Sequence, residues 1–128
     1  MDNEATLGPV NGVLIWTHEA GYHELAAFYR DTLELPVRTD RGHHLAFEWP
    51  GGMRLTLGVH TAIQPGAARD PNRVMVNFAV RDIHATQARL RDRGVVFLRP
   101  ASQEPWGGWI ATFADPDGNV LQLLQSAP

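Results

Sequence analysis

The chemistry open to this chain runs through six histidines, fourteen acidic residues and two tyrosines. It contains no cysteine, and all eleven basic residues are arginine. Thiolate nucleophiles, disulfides and cysteine metal sites are thereby excluded, as is Schiff-base chemistry on a lysine. Serine occurs only at Ser102, in a loop, and Ser126, near the end, so a serine triad is not expected. Among the histidines, His18 and His23 flank one predicted helix, His43 and His44 begin a strand, and His84 lies in a second helix. None has metal-ligand spacing to another, and surface roles are expected for these five. His60 ends a strand and is placed to touch a ligand. Glu48 falls opposite Arg54 across a hairpin, where it forms a cross-strand ion pair or, if buried, serves as a general base.

The element that positions these groups best is the stretch from Trp109 to Gln125. Asp115-Pro116-Asp117-Gly118 supplies a proline with φ preset for a turn and a glycine where φ must be positive. That turn sets Ala114 opposite Val120, Phe113 opposite Leu121 and Thr112 opposite Gln122. Alternation then gives Phe113, Leu121 and Leu123 one face, apolar and suited to a helix. Thr112, Val120, Gln122 and Leu124 share the other.

The remaining elements follow in order. Residues 10–17 form a strand, 22–33 a helix and 37–39 a short strand. Strands at 44–49 and 54–60 are joined by Pro50-Gly51-Gly52. A linker at 61–72 leads to a strand at 73–80. Asp82 caps a helix that runs to Arg93 and stops at Gly94, and a strand at 95–98 precedes the final hairpin. Phe47, Pro50, Gly52, Leu55 and Leu57 recur 66 positions later as Phe113, Pro116, Gly118, Leu121 and Leu123. The order β-α-β-β-β thus occurs twice. The predicted fold is α+β, with two tandem βαβββ modules (about 10–60 and 73–125) whose half-barrel sheets enclose a cleft. All 128 residues form one domain.

The cleft face can be read from alternation. Val13, Ile15, Phe47, Leu55, Leu57 and Val59 belong to the helix side in the first module, as do Val74, Val76, Phe78 and Val80 in the second. The cleft side receives Gly12, Leu14, Trp16, Ala46, Glu48, Arg54, Thr56 and His60. Met75, Asn77, Ala79, Ile110, Thr112, Val120, Gln122 and Leu124 join them from the second module. Trp106 and Trp109 flank two glycines, forming either a hinge packed on its own sheet or an aromatic wall. The expected ligand contacts are Trp16, Arg54, Thr56, His60, Met75, Asn77, Trp106, Trp109, Gln122 and Leu124. Aromatic walls with sparse amide and hydroxyl anchors suit a small aromatic or polycyclic molecule.

The paired modules, F-Y-R-D-T-L-E-L at 28–35 and W-G-G-W…F-A-D-P-D-G-N-V-L-Q-L at 106–123 resemble the vicinal oxygen chelate superfamily. Its members include glyoxalase I, bleomycin-resistance proteins and extradiol dioxygenases. The resemblance places metal ligands at positions matching Gly12, Thr56, Met75 and Gln122. None is a His, Glu or Asp, so no metal and no cofactor is expected. It also implies a homodimer with clefts shared between subunits.

Two functional readings follow. The first is a non-catalytic protein that sequesters its ligand, as antibiotic self-resistance proteins do. The alternative is a lyase, isomerase or oxygenase with an atypical metal site or a Glu48/His60 acid–base pair. A third, a relative whose cleft has no ligand, needs no site at all. The net charge of −3 argues against nucleic acid. No apolar run spans a membrane and no basic-then-apolar leader opens the chain, so a cytoplasmic location is expected.

Overall fold

The computed structural model describes residues 6–128. The sequence through Gly8-Pro9 reads as a loose arm, and residues 1–5 of it lie outside the described residues. The first module comprises β1 (Gly12–Thr17), a short 3-10 turn (Glu19–Gly21), α1 (Tyr22–Ala27), β2 (Val37–Asp40), β3 (His44–Glu48) and β4 (Arg54–Val59). The second comprises β5 (Val76–Ala79), α2 (Ile83–Asp92), β6 (Phe97–Gln103), β7 (Trp109–Ala114) and β8 (Val120–Gln125). Each module makes one four-stranded sheet, ordered β1-β4-β3-β2 and β5-β8-β7-β6. In each, the first strand runs parallel to the last and the others pair antiparallel.

The two hairpins have the register their turns dictate. Phe47 pairs with Leu55 in one, and Phe113 pairs with Leu121 in the other. Gly118 takes φ +83°, the left-handed conformation that the turn requires and that glycine adopts without a Cβ penalty. Asp82 caps α2 by accepting a bond from the Ala85 N–H at 3.1 Å, and Gly94 follows the helix at φ +90°.

Four elements depart from expectation by two residues or more. The strand predicted at 73–80 is ordered only over Val76–Ala79. In parallel register Val76 pairs with Leu121, so residues 73 and 74 would lie beside Gly118 and Asn119 of the turn, which offers no strand to pair with, and Met75 would face only Val120, the first residue of β8. Val74 is accordingly 76% exposed and does not pack on the helix. The strand predicted at 10–17 begins at Gly12 for the same reason, because Gly12 pairs with Arg54 at the edge of the 50–53 turn. β6 starts two residues late and runs on to Gln103. It is an edge strand, and Pro100, which has no N–H, falls within its register shifts. The predicted helix at 22–33 is α-helical only to Ala27 and continues as a wider π turn, Phe28–Thr32.

The modules meet through their helix faces. The fully buried Tyr29 donates its hydroxyl to Asp115 Oδ2 at 2.7 Å, and the Phe28 and Phe113 rings lie 6.3 Å apart. Arg93, the C-cap of α2, reaches the Thr32 carbonyl at 2.9 Å and Glu34 at 2.7 Å. One continuous core results, running from Tyr22, Leu25 and Phe47 through Ile83 and Leu90 to Phe113 and Leu121. The sheet faces turned away from the helices therefore open outward and do not close on each other within the chain. No helix among the described residues is long and apolar enough to cross a membrane.

Candidate functional site

Register resolves the open face of the first sheet into three cross-strand rows. At one end Gly12, Arg54 and Glu48 lie side by side; in the middle are Leu14, Thr56, Ala46 and Thr39. At the far end are Trp16, Gly58 and His44. A cavity of about 470 Å³ lies over the first two rows, lined by Leu14, Glu48, Arg54 and Thr56. Another of about 640 Å³ lies at the far end, lined by Trp16, Thr39, Arg41 and His44.

Glu48 Oε1 accepts from Arg54 Nε at 2.7 Å and from an Arg38 amino group at 2.9 Å. The bond from Arg54 is the main reason its carboxyl is held below the usual glutamate range, with Arg38 adding to the effect. This corrects the general-base reading, which needs a raised pKa. A carboxylate clamped by two guanidiniums is a poor proton acceptor. The Glu48/His60 pairing also fails on distance. His60 lies six residues along the strand from Arg54, about 20 Å at ~3.3 Å per residue.

A depressed folded-state pKa contributes stability above the unfolded value of 4.5 that is lost as pH falls through the folded value. We expect Glu48→Gln to lower the melting temperature at pH 7 and the deficit to shrink steadily toward pH 3. A deficit that stays constant across that range would show that the arginines leave the charge of Glu48 unaffected.

His60 is anchored otherwise. Its backbone N–H donates to the Thr17 carbonyl, and its Nδ1 accepts the Ala62 N–H, both at 3.0 Å. Its ring stands edge-on to Trp16 with centroids 5.5 Å apart. Trp16 is 38% exposed and lies across Gly58, where a Cβ would come within 2.6 Å of the indole. Gly58 and Arg38 went unmarked in the sequence. A glycine inside a strand is a recognised sign of close approach, so Gly58 carried a usable signal. Arg38 did not, because the β2 register shifts between Val37 and Thr39.

In the second sheet Asn77, Gln122 and Thr112 form one row. Gln122 Nε2 reaches Thr112 Oγ1 only at 3.5 Å, leaving its amide weakly engaged. Ala79, Leu124 and Ile110 form the next row, while Met75 precedes β5 and is 39% exposed. Trp106 is exposed and folds over Gly108, in a turn closed by the Gly107 N–H on the Glu104 carbonyl. Trp109 shares its side of β7 with Phe113 and stands 4.8 Å from the His84 ring of α2. It belongs to the helix side and not to the ligand wall.

The chain therefore brings Trp16, Arg54, Thr56 and His60 onto one sheet, and Asn77, Gln122 and Leu124 onto the other. Arg54 and Asn77 also line a common cavity of about 260 Å³ at the module boundary, with Trp49 and Phe78. The positions matching a family metal site do not fit a cation. Gly12 lies against Arg54, Thr56 lies between Leu14 and Ala46, and Gln122 has Asn77 and Thr112 beside it. None offers an anionic or imidazole donor, and a guanidinium stands next to the first. Among the described residues no three His, Asp or Glu side chains gather as a metal site.

Similarity to known proteins agrees with this architecture. A crystal structure of TnmS3, an antibiotic binding protein from Streptomyces sp. CB03234, superposes with TM-score 0.73 at 25% identity, covering 97% of this chain and 100% of that one. A glyoxalase/bleomycin resistance protein/dioxygenase from Nocardioides gives 0.73 at 22%, covering 98% and 87%. A lactoylglutathione lyase from Agrobacterium tumefaciens gives 0.72 at 16%, covering 95% and 96%. No curated protein matches the chain. The family model described as a glyoxalase-like domain matches residues 13–127, and with nearly the whole length accounted for the chain belongs to that family, within the vicinal oxygen chelate superfamily.

Proposed function

We propose that this protein binds a small aromatic or polycyclic compound without transforming it, in the manner of a self-resistance protein that sequesters an antibiotic. The observation that carries this reading is the chemistry of the matched ligand positions. Glycine, threonine, methionine and glutamine occupy them, on faces that also carry an indole, aliphatic side chains, a few neutral amides and, at one end of the first sheet, the Glu48 carboxylate already engaged by Arg54 and Arg38. Such a surface gains affinity from stacking and apolar burial, and orientation from Gln122, Asn77 and Thr56. The likeness to an antibiotic binding protein supports the same reading.

The cleft, on this proposal, is completed by a second copy of the chain. Leu14 is 58% exposed on the open face of the first sheet, and Met75, beside the second, is exposed to a lesser degree. A homodimer would cover these apolar groups and bring the two open faces together.

The test is binding of a panel of neutral polycyclic compounds, followed by titration calorimetry and by mass spectrometry of the recovered compound. We expect the compound to return unchanged and sedimentation to report a dimer. Trp16→Ala and Gln122→Ala should each weaken binding by about 1–3 kcal/mol, as for a lost stack or a buried group left unpaired. Chemical conversion of the compound, or stoichiometric metal in purified protein together with chelator-sensitive turnover, would overturn the proposal. Unchanged affinity in both variants would show that the ligand sits elsewhere.

A further inference from the structure

We propose that the open face of the first sheet is a two-ended site for an elongated aromatic acid, whose flat end lies on Trp16 and whose anionic end is received by Arg54 and Arg38. This deepens the binding function above and rests on it.

The aromatic end is built and not incidental. Trp16 and Gly58 are register partners, and the indole lies on the β4 backbone in space that only a glycine leaves open. The edge of His60 holds it from one side at 5.5 Å. With one surface of the indole resting on the strand, its exposed remainder is available to a flat partner.

The charged end has a matching logic. Arg38 and Arg54 both bond a single oxygen of Glu48. Two cations on one anion leave one positive charge over, and Glu48 fixes both guanidiniums at the sheet surface. Among the described residues no acceptor is bonded to the terminal amino groups of Arg54, and its side chain is half exposed. A carboxylate accepts from such a planar fork through two parallel bonds. Leu14 and Thr56 lie between the two ends, a mainly apolar span under the 470 Å³ cavity. Arg54 precedes Gly58 by four residues on one strand, about 13 Å at ~3.3 Å per residue. Two fused or linked rings bearing an acid fit this distance, and a single ring does not.

Biphenyl-4-carboxylate and its uncharged isostere biphenyl-4-carboxamide test the idea on the full chain, read by calorimetry and quenching of tryptophan fluorescence. The acid is expected to bind about tenfold or more tightly than the amide, the increment of a charge-assisted bidentate contact. Arg54→Gln should bring the acid close to the affinity of the amide and weaken the amide much less, since the amide loses only a neutral acceptor's bond. Gly58→Val, which displaces the indole, should weaken both probes by the same factor, with circular dichroism confirming that each variant is folded. Benzoate should bind much more weakly than the biphenyl acid, because a ring seated at the arginines cannot also reach the indole. Equal affinity for acid and amide, or an acid affinity indifferent to Arg54→Gln, overturns the anionic end and leaves aromatic binding standing. If neither biphenyl binds at millimolar concentration the two-ended site is overturned, and the neutral polycyclic panel run in parallel shows whether the binding function falls with it.

Discussion

Phe113→Ala is expected to destabilise the chain by about 3–5 kcal/mol, the usual cost of emptying an aromatic site in a packed core. Phe113 has no exposed surface, and its ring lies 5.4 Å from Phe97 in its own module and 6.3 Å from Phe28 in the other. The resulting void opens where the modules meet, so neither sheet can collapse into it without moving the other. Against a total stability of roughly 5–15 kcal/mol, the variant would lose a large share of its margin. Urea unfolding should show a lower midpoint with an unchanged slope. Val96→Ala, at an exposed position, should stay within about 0.5 kcal/mol of the parent. A loss below about 1 kcal/mol for Phe113→Ala would mean that the two modules do not share a core.

Asp115→Ala is the second large effect, expected at about 3–4 kcal/mol because one buried and three partly buried donors lose their acceptor together. Asp115 Oδ1 accepts from the backbone N–H groups of Asp117 and Asn119, both at 2.9 Å. Its Oδ2 accepts from the Asn119 amide at 2.8 Å and from the Tyr29 hydroxyl at 2.7 Å. One buried side chain thus holds the final hairpin turn and ties it to the first module. Asp115→Asn should cost less, since its amide oxygen can still accept the two backbone bonds and the Tyr29 hydroxyl can turn to accept from the new amide. Tyr29→Phe should cost least, about 1–2 kcal/mol, leaving one oxygen short of a donor. The order Ala, Asn, Phe in decreasing damage is the observation to check, and an Asn variant as unstable as Ala would refute the hydrogen-bond account.

The same residue carries a pH signature opposite to that of Glu48. Burial is the main reason the Asp115 carboxyl sits above the usual aspartate range, despite the opposing bonds from Tyr29 and Asn119. The folded chain therefore takes up this proton before the unfolded chain does. Its contribution to stability grows as pH falls through the folded value and is complete below the unfolded 3.8. Acid unfolding, where it occurs, is driven by groups like Glu48 and not by Asp115. In Asp115→Asn the stability lost as pH falls from 7 to 4 should be larger than in the parent, and an identical pH profile would contradict the raised value.

The duplicated βαβββ order, both hairpin registers and the caps of α2 were legible in the chain because each rests on contacts between near neighbours. A turn residue with a required φ, an alternation of period two and an aspartate three residues before the N–H it caps all act over a few positions. Glycine, threonine, methionine and glutamine at the positions that the family resemblance marks were equally plain, since the chemistry of a side chain does not depend on where it folds. Strand ends were not. Whether residues 73 and 74 join β5 depends on where β8 begins, more than 40 residues away, and on the turn beside them. Nor could alternation say which surface each module would offer the other. The Tyr29–Asp115 bond joins residues 86 apart, and it is this packing through the helix faces that leaves both open faces outward. The fate of Glu48 was decided the same way. Its partner across the hairpin could be read off, but the second guanidinium, Arg38, arrives from a strand whose register shifts, and only the folded sheet puts two cations on one carboxylate.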